Sequence, residues 1–200
     1  MTYALTTFLE GVNTCLSALG EQPVTTYTNT GNADVEAAVA ILNEVSKDIQ
    51  SEGWNFNTEK DVTYTPVANE ITLATNIAFV EPSTPSADRL TIRTQKLYNL
   101  STQSSTFLSA IDLNQIVILD FTDLPEVARR YIIVRAARVF CDRFLPNQMT
   151  HAFTMGDEQR ARLTLEQREG DEANFNILFD NHTSRQASYR GQGALDMYPY

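Results

Sequence analysis

Histidine and cysteine are scarce in this chain of 200 residues, at two each, and what there is does not cluster. His151 and His182 have no His, Cys or Asp at a ligand spacing such as HxxxH, so the pattern of a metal centre is missing. Cys15 and Cys141 fall at core-like positions of helical patterns, which predicts two buried thiols and neither a disulfide nor a metal site. No GxSxG occurs and neither cysteine has a nucleophile context, so covalent hydrolysis lacks support. Gly191-Gln192-Gly193 stands outside any strand-to-helix junction and is no phosphate loop, and no cofactor is expected. Long apolar runs are also missing. The longest, such as residues 116–119 and 132–134, fall far short of the roughly 20 residues that span a bilayer. Residues 1–12 lack a basic start followed by an apolar stretch, so no signal peptide is expected, and the reading is of a soluble protein made in a reducing cytoplasm. Positive charge is short as well. Fifteen basic residues against twenty-five acidic ones leave a net charge of −10, a surface that repels polyanions and argues against sequence-specific DNA binding.

What the chain does have is helical patterning at both ends and alternation between them. Thr7 with Glu10 makes a capping box, and Phe8, Val12, Cys15, Leu16 and Leu19 follow at helical spacing until Gly20. Residues 21–31 read as a loop. In residues 32–57, NADVEAAVAILNEVSKDIQSEGWNFN, a stripe of Val35, Ala38, Leu42, Val45 and Ile49 predicts a second helix, begun by Asn32 or Asp34 and ended by Gly53. Trp54 and Phe56 are expected to pack where this helix meets the following sheet.

Ten threonines lie between Thr58 and Thr106, where β-branched side chains suit a pleated surface. Strands are predicted at 62–65, 70–73, 77–80, 90–94, 96–100 and 115–121, with residues 81–88, EPSTPSAD, as an exposed loop. Asp123, Pro125 and Glu126 then suit the first turn of a third helix over 127–145, apolar nearly all round through Tyr131, Ile132, Ile133, Val134, Val139, Phe140 and Phe144, and ended by Pro146. A charged fourth helix is predicted over 157–180, weakened near Gly170, with a thin stripe of Leu163, Leu165, Phe175, Ile177, Leu178 and Phe179. Residues 181–200 have little periodicity and read as an extended tail.

Two charge clusters invite chemistry. Asp157, Glu158, Glu166, Glu169, Asp171 and Glu172 read as a solvated helix face; an alternative, a carbohydrate-degrading hydrolase, would need two such acids across one cleft. Arg129, Arg130, Arg135, Arg138 and Arg143 scatter around the third helix, so ion pairs within or between subunits explain them better than a DNA-tracking stripe, the reading a nucleic-acid-binding protein would require.

Several of these residues form signatures. Gly20-Glu21-Gln22-Pro23-Val24, Asn32-Ala33-Asp34, Ile41-Leu42-Asn43, Ile49-Gln50-Ser51 and Gly53-Trp54-Asn55-Phe56-Asn57, followed by DFTDLPE at 120–126, Arg130-Tyr131-Ile132, Ala137-Arg138 and Arg143-Phe144, resemble the tail tubular protein A family of short-tailed, T7-like bacteriophages over about residues 6–180. The resemblance implies a structural protein of the virion, not an enzyme. It implies a head-to-tail connector, the adaptor or gatekeeper: a homo-oligomeric, dodecameric ring that joins the portal protein to the tail nozzle, tail tubular protein B, beside the tail fibre. Genomic DNA passes through its centre with non-specific contact during ejection. No membrane is involved.

The expected fold is α+β: an antiparallel bundle of about four helices (1–54 and 122–180), a β-sheet domain inserted between helices two and three (55–121), and an extended C-terminal tail (181–200). Arg185, Tyr189, Arg190, Tyr198 and Tyr200 are candidates to bind the portal, because arginine and aromatic anchors carry interfaces. Arg130, Arg135, Arg138 and Arg143 are candidates for contacts between subunits, and Leu42, Ile49, Trp54, Phe56, Tyr131 and Phe140 for the core.

Overall fold

A computed structural model describes residues 4–28, 31–84, 88–144 and 148–172. Two helices come first, α1 (Phe8–Leu19) and α2 (Ala33–Gln50), then five strands, then α3 (Glu126–Phe144) and α4 (Gln148–Glu172). The chain is therefore mixed α+β. Helix starts follow local chemistry. Thr7 Oγ1 accepts from Glu10 N at 3.2 Å while Glu10 Oε2 accepts from Thr7 N at 2.7 Å, and Asn32 Oδ1 accepts from Asp34 N at 2.9 Å, so donors left over at each first turn are used.

α3 lies at the centre of the helical layer, in contact with α1, α2 and α4. Val12, Cys15 and Leu16, Val35, Ala38, Leu42 and Ile49, and Tyr131, Ile132, Ile133 and Phe140 form one buried cluster with Leu165 of α4. Each such side chain contributes roughly 1.5–3 kcal/mol when fully covered. Arg130 on α3 is exposed and Phe144 is 44% exposed, so α3 is less enclosed than its composition suggests.

The strands are β1 (Thr58–Tyr64), β2 (Ile77–Pro82), β3 (Leu90–Arg93), β4 (Lys96–Asn99) and β5 (Ile111–Val117). β5 lies between β1 and β2 in an antiparallel three-stranded sheet, and β3 with β4 makes a separate hairpin. A second cluster of Ile71, Leu73, Ile77, Val80, Leu97 and Leu113 fills this region. The two clusters meet at a polar junction. Asn57, buried, donates to Gln50 O at 2.8 Å and Val117 O at 3.1 Å, while its own Oδ1 accepts from Trp54 N at 2.9 Å.

Several expected boundaries need correction. Residues 70–73 make no strand: Ala68 and Asn69 have φ of +53° and +63°, and only isolated bridges form, Val67 with Glu70 and Thr72 with Lys96. Ile71 and Leu73 are buried all the same, so an apolar alternation was met by packing without a ladder. β1 begins at Thr58, four residues early, and its register breaks between Glu59 and Val62, where Asp61 takes φ +56°. β5 begins at Ile111 and stops at Val117; residues 121–123 form a 3-10 turn instead. β2 runs on to Pro82, taking the first two residues of the expected loop.

Helices shift too. α2 ends at Gln50 with Ser51 as its right-handed cap, and Gly53, φ +79°, turns the chain two residues later. α3 starts at Glu126 and ends at Phe144. α4 starts at Gln148, ahead of the expected 157, and runs unbroken through Gly170 to Glu172; the rest of the expected helix, 173–180, lies outside the described residues. The expected stop at Pro146 and the apolar residues 175–179 lie outside the described residues.

Candidate assembly interface

The arginines of α3 decide how its neighbours are held. Arg129 is 6% exposed and donates to three backbone carbonyls, Leu124 O at 2.8 Å, Thr6 O at 2.9 Å and Thr122 O. The chain enters α3 through residues without ladder partners, and a planar guanidinium satisfies several carbonyls at once. Glu126 reinforces the same corner by accepting from Thr6 N at 2.8 Å and from the Thr6 hydroxyl. Partial burial raises the Glu126 carboxyl, but those hydrogen bonds with Arg129 and Arg130 outweigh it and leave it below the ordinary carboxylate range.

Farther along, Arg135 donates to the Tyr131 hydroxyl at 3.2 Å and lies 4.0 Å from Asp48 and 3.9 Å from Glu158. Arg138 pairs with Glu158 of α4 and, at 3.0 Å, with Asp142. Arg143 grips Glu44 of α2 with both terminal nitrogens at 3.0 and 2.8 Å, and these hydrogen bonds hold the Glu44 carboxyl below its usual range. From α4, Arg162 reaches Glu52 at 2.9 Å, Glu166 at 2.8 Å and the Tyr131 hydroxyl at 3.3 Å. Its Glu52 and Tyr131 hydrogen bonds hold the guanidinium protonated still more firmly than usual.

α4 is thus docked by charge more than by grease. Among its described side chains Leu165 is the one that is fully buried. The exposed pairs of Arg162 with Glu52 and Glu166 stabilise by about 0.2–1 kcal/mol each and set the register of α4, while Arg138 and Arg135 meet Glu158 where both partners are mostly buried. Arg135, Arg138 and Arg143 are engaged within the chain, and Arg130 forms no ion pair among the described residues. A coherent phosphate-tracking stripe does not emerge.

The described residues leave several apolar surfaces open among themselves. A groove of about 640 Å³ runs between α3 and α4, lined by the apolar Val127, Val134, Ala137 and Ala161, by the cations Arg130, Arg138 and Arg160 and by the acids Glu126 and Asp157. A second, of about 330 Å³, shares Glu126 and Val127 with it and continues past Leu165 and Arg168 to Phe56. Met155 and Leu163 of α4 are exposed at 47% and 56%. In the β region Val67, Phe79 and Leu108 stand out into solvent. Among the described residues no group of His, Cys, Asp and Glu is placed to hold a metal ion, and no helix is long and apolar enough to cross a membrane.

The elements just described, from α1 through the sheet to the end of α4, coincide with one family model: that of the tail tubular proteins matches residues 9–175. The chain belongs to the tail tubular protein family. Tail tubular protein A of Klebsiella phage KP34 is 31% identical over 125 residues, which cover 62% of this chain and 66% of that relative. Membership makes the chain a structural component of the bacteriophage tail.

Within this tail tubular fold, Leu42, Ile49, Tyr131 and Phe140 are buried and Trp54 and Phe56 are half-buried against the same cluster, with Trp54 Nε1 donating to Ile49 O at 2.8 Å. Arg185, Tyr189, Arg190, Tyr198 and Tyr200 lie outside the described residues. Sequence reasoning missed Gln50 and Arg162. A signal for the first was available: Gln50 falls one position after Ile49 on the edge of the buried stripe, where a polar residue needs an internal partner. For Arg162 only the Glu166 spacing was visible; Glu52 is 110 residues away.

Proposed function

We propose that this tail tubular protein is a non-enzymatic connector, a closed ring of subunits, dodecameric by resemblance to its family, that joins the portal to the tail nozzle and lets genomic DNA through its centre. The single observation that carries the reading is the family match along residues 9–175, which takes in both helical segments and the strands between them. The helices then form the ring-building bundle and residues 55–121 an inserted β domain turned toward the nozzle or the fibre, through Val67, Phe79 and Leu108. A ring that closes by head-to-tail contacts needs two different adhesive faces. The exposed Met155 and Leu163 of α4 supply one, with Arg130 at hand. Arg135, Arg138 and Arg143 act within the subunit, fixing α2, α3 and α4 so that this face keeps its shape.

Residues 181–200 order against the portal in this reading, with Arg185, Tyr189, Arg190, Tyr198 and Tyr200 as anchors. A net charge of −10 offers passing duplex few phosphate partners, which favours sliding over retention. Imaging the purified chain with and without a portal ring tests the proposal. Closed rings seated on the portal are expected, and a chain lacking 181–200 should fold yet fail to attach. A protein that stays monomeric at every concentration, even beside the portal, would overturn it.

A further inference from the structure

The two grooves beside α3 share Glu126 and Val127 as lining residues, and the smaller one reaches Arg168 and Glu169 near the C-terminal end of α4. Arg168 and Glu169, which line the nearer groove, sit in the last turn of α4 before Glu172. Past Glu172 the sequence runs on for 28 residues, and the apolar cluster nearest the end of α4 is Phe175, Ile177, Leu178 and Phe179. We infer that residues 175–179 fold back along their own subunit and fill the α3–α4 groove.

Reach, polarity and charge all fit. Reversal at residues 173–174 sets Phe175 beside Arg168 and Leu165. An extended chain advances about 3.3 Å per residue against 1.5 Å for a helix, so two residues of the strand pass roughly four of α4. Ile177 then falls opposite Thr164, and Phe179 opposite Ala161 and Val134, in the apolar part of the lining. Asp180 follows directly and meets Arg130, the lining cation with no ion pair among the described residues. Filling the groove gives α4, which buries only Leu165 among its described side chains, the apolar cover its own sequence lacks. The clasp concerns one subunit and stands whether or not the ring closes.

Cysteine pairs in the full chain test it. T164C/I177C and A161C/F179C are oxidised mildly, run without reductant and mapped by mass spectrometry; Thr164 is exposed, so the first pair leaves the core intact. A disulfide joining the two sites within one chain of monomer mass is expected, and mixed single variants should yield no linked dimer. In a second measurement, the thiol of T164C should react about ten-fold more slowly with a maleimide in the native chain than in F175S/F179S, since an occupied groove admits reagent only on local opening. No intramolecular link together with equal labelling rates would overturn the inference. So would a link formed only between separate chains, which would assign the groove to a neighbour's segment.

Discussion

Gln50 and Leu119 exchange two hydrogen bonds, Gln50 Nε2 to Leu119 O at 3.1 Å and Leu119 N to Gln50 Oε1 at 2.7 Å, across 69 residues of sequence. Gln50 is completely buried, and Nε2 also donates to Ser46 Oγ at 3.0 Å. A side-chain amide thus stands in for a strand at the point where the chain leaves the sheet for α3, and it ties the end of α2 to that exit.

Replacing this amide tests the junction. Gln50→Leu keeps the bulk but leaves the Leu119 N–H and C=O without partners, and each buried unpaired group costs roughly 1–3 kcal/mol. Urea unfolding should show a loss of at least about 2 kcal/mol by that reckoning. An unchanged midpoint would mean that the amide is dispensable.

Two left-handed glycines should respond differently. At Gly20, φ +85°, an added Cβ meets nothing within 4 Å, so Gly20→Ala carries only the backbone cost of about 1–2 kcal/mol. At Gly53, φ +79°, the Cβ would come within 2.7 Å of Ile116 Cδ1 and 3.3 Å of its Cγ1, so the half-buried Ile116 side chain must also turn aside, a cost on top of the backbone one. Thermal unfolding of the two variants should rank Gly53→Ala clearly below Gly20→Ala.

Acid should loosen the corner where the segment before α1 meets α3. The Glu126 carboxyl lies below its unfolded value, so the folded state binds its proton less readily than the unfolded chain. The stabilisation is complete above the unfolded carboxylate pKa of about 4.3 and is lost as pH falls through the lower folded value. Glu126→Gln should therefore flatten the acid limb of the stability curve while leaving its neutral-to-alkaline slope alone. An unaltered acid limb would remove Glu126 from the account.

The two cysteines should be silent until the protein unfolds. Burial pushes the Cys15 thiol up to about 12, with Cys141 adding to the rise, and burial followed by Asp142 raises Cys141, whose Sγ donates to Ala18 O at 3.3 Å. A disulfide-exchange reagent at mildly alkaline pH should titrate no thiol in the native chain and two in denaturant. Linkage has the opposite sign from Glu126. The thiol contribution is whole below the unfolded pKa of about 8.5 and falls as pH rises toward the folded value, because the unfolded chain ionises first.

How much of this was legible depends on the range of the interaction. The capping box of Thr7 and Glu10 and the Asn32 cap close within three residues, and the stripes that bury Leu42, Ile49, Tyr131 and Phe140 repeat at helical spacing, so the amino-acid order alone determined where α1 and α2 begin and which faces turn inward. It also carried the family signature. Tertiary structure alone decided what partners distant in sequence settle. Residues 70–73 alternate like a strand, yet their neighbour offers single bridges and no ladder. Gly170 weakens a helix in isolation, but α4 runs through it, pinned upstream by Leu165, by Arg138 on Glu158 and by Arg162 on Glu52. A glutamine on a helix edge becomes a hinge pin only because Leu119 arrives opposite it. Local hydrogen bonds and periodicity are written in neighbouring residues, whereas the choice among many arginines and acids is made by the packing that brings two of them together.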